Sequence, residues 1–431
     1  MSFNDSRISI PRSNLACVQH VIHNPTLEEY PFQLISNLLH GESGHEVSKE
    51  CSEMLADILK KLPSLTYLQS HEEALKKIIG ESGQWFLKLE KFEDWKNGKS
   101  TAFLALGEPG VGKTCLLSTV ISHLQKLQGP TRVAYLYLHH QEAGSQTPIN
   151  IISVLLRQLL LTYSSLPESV IGLFDKFGLD QGPPQLQTLV TALIGLCKDT
   201  NYKTYIVIDA LDECKPFYQT ELKGILEQLL TNQVQLFATT RPLSEDIESL
   251  FNNAYSTKYS IRATASDISG FLKQKLEVRT SLDGVMDEEF KSKVIQTIRA
   301  KSLGVFLVAA MQIDHIQSLT STQKIEEVLS NFPSSLEESF HLTLERIQAQ
   351  SSDYVELAFM VMTWLVHVHQ PLTTKALCYA LGTKLRSNRF EVDDLPTPRQ
   401  WALHRFYNRF LSPFSARVYA DAAEIIAQSY F

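Results

Sequence analysis

The pattern of apolar and polar positions changes twice along the chain. Residues 1–24 are polar with scattered apolar side chains and predict little regular structure. Over 31–39 and 47–62, apolar residues recur every three or four positions, as in Met54, Leu55, Ile58, Leu59 and Leu62, which is a helix period. The same period runs through 71–97. There Trp85, Phe86, Phe92 and Trp95 crowd together ahead of a turn at Asn97-Gly98-Lys99-Ser100. From Thr101 short apolar runs alternate with longer amphipathic segments. Strands are predicted over 101–106, 132–138, 203–208 and 233–238, with a weaker one over 254–261. Helices are predicted over 113–127, 150–163, 184–198, 220–230 and 243–251. Such alternation implies an α/β fold, a parallel sheet flanked by helices. After Ala263 the strand pattern stops. Helices are predicted over 266–276, 288–300, 304–319, 323–329 and 336–348, the last announced by Ser335 as N-cap with Glu338 three residues on. Two or three more helices follow over 353–385, broken near His369-Gln370-Pro371, and the C-terminal stretch is less regular.

Composition narrows the class. The 431 residues give room for about three domains. With 44% hydrophobic and 20% charged residues the chain buries cores and is not a disordered one. The six cysteines stand far apart, at 17, 51, 115, 197, 214 and 378, and none forms a CxxC pair. They read as reduced thiols, neither a disulfide framework nor a zinc ribbon. A net charge of -7 disfavours a general nucleic-acid binder, which needs a basic face. The N-terminus lacks the apolar stretch of a signal peptide, and no apolar run approaches the roughly 20 residues of a membrane span. The expectation is a cytoplasmic protein with no membrane span and no nucleic-acid partner.

The chemistry begins at Gly107-Glu108-Pro109-Gly110-Val111-Gly112-Lys113-Thr114, which satisfies GxxxxGK[ST]. Glycines let successive backbone N–H groups turn toward phosphate oxygens, and the following helix aims its positive end at the same anion. Lys113 supplies a cation to the outer phosphates, and the Thr114 hydroxyl suits magnesium. Cys115 completes the nucleotide-contacting stretch and is also a candidate small buried residue of the helix's first turn.

A second signal is Tyr205-Ile206-Val207-Ile208-Asp209-Ala210-Leu211-Asp212-Glu213, a buried strand ending in acid. A carboxylate at the carboxyl end of a parallel strand faces the ligand crevice, so Asp209 is assigned to magnesium. Asp212 or Glu213 then orients or deprotonates an attacking water; spacing does not choose between them. A third signal, Thr239-Thr240-Arg241-Pro242, ends the next strand and places Arg241 to stabilise charge at the terminal phosphate. The alternative is a solvated arginine ahead of a helix-starting proline.

Other candidates read as structural. His139 and His140 are adjacent and point to opposite faces, a poor metal pair. His367 and His369 have no acidic or thiol partner nearby in sequence, and Asp393-Asp394 reads as a solvated loop. The tryptophan cluster reads as a packing surface. The absence of NKxD favours ATP over GTP, and no HRD or DFG sequence of protein kinases occurs.

Taken together, Gly107–Thr114, Ile206–Glu213 and Thr239–Pro242 resemble the NACHT domain of signal-transduction NTPases with numerous domains. The resemblance is closest to the fungal NLR-like group related to nephrocystin-like N-terminal NTPase domains. Gln84-Trp85-Phe86-Leu87, Val133–Tyr137, Leu155–Leu160, Lys301–Leu307 and Ser335–Ser339 are similar to further segments of that group, and Leu372–Leu381 to its winged-helix region. The resemblance covers about 80–395. It implies a P-loop NTPase domain over 80–262, an all-α helical domain over 263–350, and a winged-helix-like domain with an irregular tail over 351–431; the preceding 1–79, a helical and partly disordered region by its own pattern, matches no domain of that group. It also implies a switch in which ADP and ATP, with Mg2+, select different conformations. The ATP state would then form a homo-oligomer, and a protein partner would engage through either terminal region. By the same resemblance Lys113 and Thr114 bind phosphate and magnesium, Asp209 holds the metal, an acid at 212 or 213 handles water, and Arg241 is the sensor. The winged-helix histidine motif of some relatives is not recognisable, and no internal repeat is found. Two other classes remain beside the switch: a nucleotide-binding scaffold without turnover and a small-molecule kinase.

Overall fold

In the computed structural model, the described residues are 55, 58–59, 62, 67–139, 145–163, 167, 170–172, 185–242, 248–253, 255–277, 286–333, 336–367, 377 and 381. The helices expected before residue 55, most of the winged-helix-like region, and His140, Ser335, His369, Asp393 and Asp394 lie outside them.

Helix α1 (Tyr67–Lys76) is followed by two short ones, α2 (Gln84–Leu87) and α3 (Glu90–Lys96). Strand β1 (Ala102–Leu106) leads into α4 (Lys113–Gln125). Then come β2 (Thr131–Tyr137), α5 (Pro148–Leu160), α6 (Leu186–Cys197) and β3 (Lys203–Asp209). After a one-turn 3-10 helix at Leu211–Glu213, α7 (Pro216–Thr231), β4 (Gln235–Thr240) and β5 (Ser256–Ser260) complete the sheet region. The helices that follow include α8 (Ala265–Glu277), α9 (Glu288–Lys301), α10 (Phe306–Gln317), α11 (Thr322–Ser330), α12 (Leu336–Gln348) and α13 (Ser352–His367).

The five strands are parallel and lie in the order β2-β3-β4-β1-β5. The chain leaves β1 for the far edge at β2, works back through β3 and β4, and crosses to β5 on the other side. The loop after β1 therefore lies where the winding reverses, where α/β sheets bind ligands. The apolar runs of β1, β3 and β4 are buried, as expected of strands covered on both faces. The weakest of the expected strands, β5, is an edge strand of Ser256, Thr257, Lys258, Tyr259 and Ser260, only half-buried. The other edge is capped by a side chain. Gln158 of α5 accepts from the Tyr135 N–H at 3.1 Å and donates to the Tyr135 carbonyl at 2.7 Å, satisfying backbone groups that no strand reaches.

The apolar side chains form two main clusters. One fills the sheet and its helices. It includes the aromatic group Phe86, Phe92, Trp95, Phe103 and Phe237, in which Phe103 and Phe237 stack at 5.2 Å. The other unites Ile268, Leu272, Val294, Ile298, Val308 and Ile313 of α8, α9 and α10. Burying a side chain of this size contributes roughly 1.5–3 kcal/mol, so each cluster is a core in its own right. A capping box starts α8: Thr264 Oγ1 accepts from the Asp267 N–H at 3.2 Å, and Asp267 Oδ2 accepts from the Thr264 N–H at 3.0 Å. The same carboxylate accepts from Trp85 Nε1 at 2.9 Å and from the Gly83 N–H at 3.2 Å. It thereby ties the segment before the sheet to the start of the helical region.

Candidate functional site

The loop between β1 and α4 is shaped by its glycines. Gly110 (φ 77°) and Gly112 (φ 93°) occupy the left-handed region, and Gly112 is the N-cap of α4 with no side chain closing the helix end. The open first-turn amides of α4 therefore face the loop, as an anion requires. Lys113 Nζ donates to the Gly107 carbonyl at 2.7 Å and to that of Glu108 at 3.1 Å, which folds the side chain over the loop. Burial lowers the Lys113 pKa, and the carboxylates of Asp212 and Asp209 work against that. Pro109 and Val111 fill the turn, with Val111 buried.

Asp209 ends β3 and is buried. Its Oδ2 accepts from Thr114 Oγ1 at 2.7 Å, and its Oδ1 accepts from Thr239 Oγ1 at 2.5 Å. Burial raises its pKa, while these two hydroxyls and the Lys113 charge oppose the shift. The strand order explains the meeting: β4 lies between β1 and β3, so Thr239 sits beside both Asp209 and the phosphate loop. Thr239 also accepts from the Ala210 N–H at 2.8 Å and so steadies Ala210, a non-glycine residue at φ 53°. The strained residue turns the chain into the 3-10 helix that carries Asp212 and Glu213. Thr239 was missed as a site residue. The polar pair Thr239-Thr240 closing an apolar strand was the available signal.

Asp212 and Glu213 differ in their surroundings. Asp212 is buried. Its Oδ2 lies 3.4 Å from Arg241 Nε, and its Oδ1 accepts from the Arg241 N–H at 3.3 Å and from Thr240 Oγ1 at 3.4 Å. Glu213 is half-buried at the end of the same turn. Arg241, expected at the terminal phosphate, is paired with Asp212 here. Cys115 is half-buried in the first turn of α4, and burial raises its thiol pKa, the opposite of a reactive thiolate. His139 contacts Ser70 of α1 at 3.2 Å.

The helical region touches this loop directly. The Leu307 N–H donates to the Gly110 carbonyl at 3.2 Å. A Cβ at Gly110 would lie 2.2 Å from Leu307 Cβ, and one at Gly112 would lie 3.2 Å from the Phe306 ring. The residues thus fit a nucleotide and magnesium: a glycine cradle with no room for side chains, unclaimed helix amides, a lysine, and a hydroxyl beside a carboxylate.

A family model described as nephrocystin 3, N-terminal, matches residues 81–241. The chain is 22% identical over 314 residues to vegetative incompatibility protein HET-E-1 of Podospora anserina, a match covering 70% of this chain and 23% of that protein. The chain carries a NACHT-related P-loop NTPase domain. The matched residues of this NTPase domain run from the turn before α2 to Arg241 and so contain the loop, Asp209 and the acid pair. The chain spans 23% of the length of the relative. Among solved structures it resembles Cdc6p of Pyrobaculum aerophilum, with 13% identity and a TM-score of 0.35 over 81% of this chain and 94% of that one. It also resembles AMPPCP-bound DnaA of Aquifex aeolicus, with 12% identity and a TM-score of 0.31 over 81% and 96%. Among the described residues no helix is long and apolar enough to cross a membrane.

Proposed function

We propose that this NTPase domain is an ATP/ADP-dependent conformational switch whose nucleotide state controls the helical region and self-association. The observation that carries the reading is the packing of Phe306 and Leu307 against Gly110 and Gly112. A ligand that reshapes the phosphate loop must act on α10, and a population shift needs only such differential contact. In this reading the loop residues 107–115 hold the nucleotide, with Lys113 on the outer phosphates. Thr114 and Asp209 hold Mg2+, which when bound offsets phosphate charge. Glu213 orients water, because Asp212 is engaged by Arg241. Arg241 exchanges that pairing for the terminal phosphate and so senses it. The domains proposed are 80–262 for the NTPase, 263–350 for the helical domain and 351–431 for the winged-helix-like part. A relative named for vegetative incompatibility supports an output in recognition. A scaffold without turnover is the second reading, favoured by the Asp212–Arg241 pair, which occupies two of the three candidate catalytic groups.

The test is nucleotide content and turnover of the purified full chain, with Lys113→Ala and Glu213→Gln beside it. Co-purified ADP with slow hydrolysis, lost with its nucleotide in Lys113→Ala and lost with nucleotide retained in Glu213→Gln, is the expected result. Bound nucleotide with no turnover selects the scaffold. A folded chain that binds none overturns both.

A further inference from the structure

Helix α1 ends before the segment matched by the nephrocystin-type family model, which begins at residue 81. Yet it reaches the nucleotide site through buried polar groups. His71 of α1 is buried and packs at a tilt against Tyr135 with ring centroids 4.9 Å apart. Its Nδ1 lies 2.7 Å from the Tyr137 hydroxyl, which lies 2.9 Å from Ser118 Oγ. Ser118 Oγ donates to the Thr114 carbonyl at 2.8 Å, and Thr114 Oγ1 donates to Asp209 at 2.7 Å.

Counting protons fixes the direction of this chain. The one hydroxyl proton of Ser118 goes to Thr114, so Tyr137 must donate to Ser118. The Tyr137 proton is then spent, so His71 must donate from Nδ1. The three links from His71 through Tyr137 and Ser118 to the Thr114 carbonyl all point from α1 toward the first turn of α4, and the Thr114 hydroxyl donates onward to Asp209. Burial raises the Tyr137 pKa far above its ordinary value, which keeps the hydroxyl intact as a donor. A phenylalanine would fill the same space without the desolvation cost of a buried hydroxyl, so an apolar seat for α1 does not need this polar file. Tyr137 also sits opposite Asp209 in the β2–β3 register. A second contact, Ser70 to His139, joins α1 to the end of the same strand.

We propose that Tyr137 is a positioning residue that couples α1, and the chain that precedes it, to the magnesium side of the nucleotide site. Occupation of Thr114 and Asp209 tightens the file and clamps α1; a loosened α1 weakens the metal-bound state by the same factor, since such coupling is reciprocal. The proposal rests on the nucleotide-binding reading above.

The experiment uses the full chain, a fluorescent ADP, and either magnesium or a chelator. Nucleotide affinity is measured in both conditions, and amide exchange of residues 67–76 is followed with and without Mg·ADP. Wild type is expected to bind more tightly with magnesium and to show slowed exchange in α1. In Tyr137→Phe the magnesium-dependent gain falls about five-fold, the scale of one hydrogen bond, and the α1 protection disappears. Ser118→Ala should do the same, whereas Ser118→Thr, which keeps the hydroxyl, retains the coupling. A merely structural Ser118 gives the reverse ranking, because alanine fits that buried position and the added methyl of threonine does not. The Ser118 pair also decides the matter should Tyr137→Phe fail to fold. Wild type that binds Mg·ADP without protecting α1, or variants that rank by volume, overturn the coupling and leave nucleotide binding intact. Wild type that binds no nucleotide overturns the functional reading, and the coupling falls with it.

Discussion

The two ends of one sheet use buried charge in opposite ways. At the amino end, Arg132 opens β2 with its guanidinium 3.4 Å from the Tyr163 ring centroid and 3.2 Å from that of Tyr202. It pairs with Asp199 at 3.3 Å, and the Tyr163 hydroxyl donates to the same carboxylate at 2.9 Å. Partial burial alone would raise the Asp199 pKa, but the Asn201 amide, the Tyr163 hydroxyl and the Arg132 charge bring it below the ordinary carboxylate value. Arg132 Nε and Nη2 have no hydrogen-bond partner among the described residues, but the two rings and the Asp199 carboxylate favour the charge, so the cluster serves the fold. At the carboxyl end, the charges pull the other way. Burial lowers Lys113 and raises Asp209, so each charged form is disfavoured there. The lysine donates to loop carbonyls, and glycines line the space beside it. Titratable groups that burial perturbs in this way, gathered beside a glycine loop, mark a candidate binding site. The lesson is to ask whether a buried charge gains or loses from its neighbours.

The largest effect that sharpens this contrast belongs to Lys113→Met. It removes a charge-assisted phosphate contact of roughly 3 kcal/mol, so the nucleotide Kd should rise about 100-fold. Thermal stability without nucleotide should hold or rise, because a disfavoured charge has been removed. Calorimetric binding and a melting curve check both; a fall in ligand-free stability would place Lys113 in the class of Arg132. At the other end, Arg132→Met should cost about 2 kcal/mol in denaturant unfolding, less than a fully buried pair because Asp199 is partly exposed. Its nucleotide affinity should stay within about two-fold of wild type, by the distance additivity of well-separated sites. A large loss of affinity in this variant would erase the division between the ends.

Much of this contrast was legible in the sequence, and the illegible part has a physical cause. The alternation from Thr101 gave all five strands, and the weak fifth one is the half-exposed edge strand. Gly107–Thr114 and Asp209 meet because both stand at carboxyl ends of strands, a rule that periodicity alone supports. Strand order is another matter. That β4 lies between β1 and β3 is settled by crossovers, so the Thr239 contact to Asp209 and the Arg241 pairing with Asp212 could not be read from spacing. Nor could Asp267, whose carboxylate collects Gly83 and Trp85 from more than 180 positions upstream. Helix α7 begins at Pro216, a turn before the expected position 220, because a proline at the first helical position gives no apolar signal. The helices expected over 184–198 and 288–300 appear within two residues of their expected ends.

A smaller effect tests whether the carboxyl end is shaped by the helical region as well as by the sheet. Gly110→Ala must hold a side chain at φ 77° and bring its Cβ to 2.2 Å from Leu307 Cβ. The backbone term is about 1 kcal/mol, and relief of the contact requires α10 to shift. Stability should fall by about that amount, and the nucleotide Kd should rise about ten-fold, against the two-fold limit expected of Arg132→Met at the amino end. A loss of stability with nucleotide affinity unchanged would mean that the loop is merely strained. The expected ten-fold loss of affinity would mark the contact with Leu307 as part of binding.

The smallest effect asks whether the asymmetry of the sheet repeats along α4, whose first turn carries Lys113 and whose last turn carries His123. The His123 ring lies 6.1 Å from Phe92, and its Nε2 is buried with no hydrogen-bond partner among the described residues. Burial lowers its pKa below the ordinary 6.5, and the Lys96 charge adds to that. A folded-state value below the unfolded one means stability that is present above the unfolded pKa and lost as pH falls through the folded one. The wild-type melting temperature should therefore drop as pH falls below about 6.5, and His123→Leu should remove that part of the slope. Melting temperatures at about pH 7.5 and pH 5.5 check this: the variant should gain on wild type only at the lower pH. Nucleotide affinity should not follow, because the ring stands at the far end of the helix from the phosphate loop. A variant that gained equally at both pH values would show better packing rather than a relieved charge. A change in nucleotide affinity would show that the far end of α4 also belongs to the site.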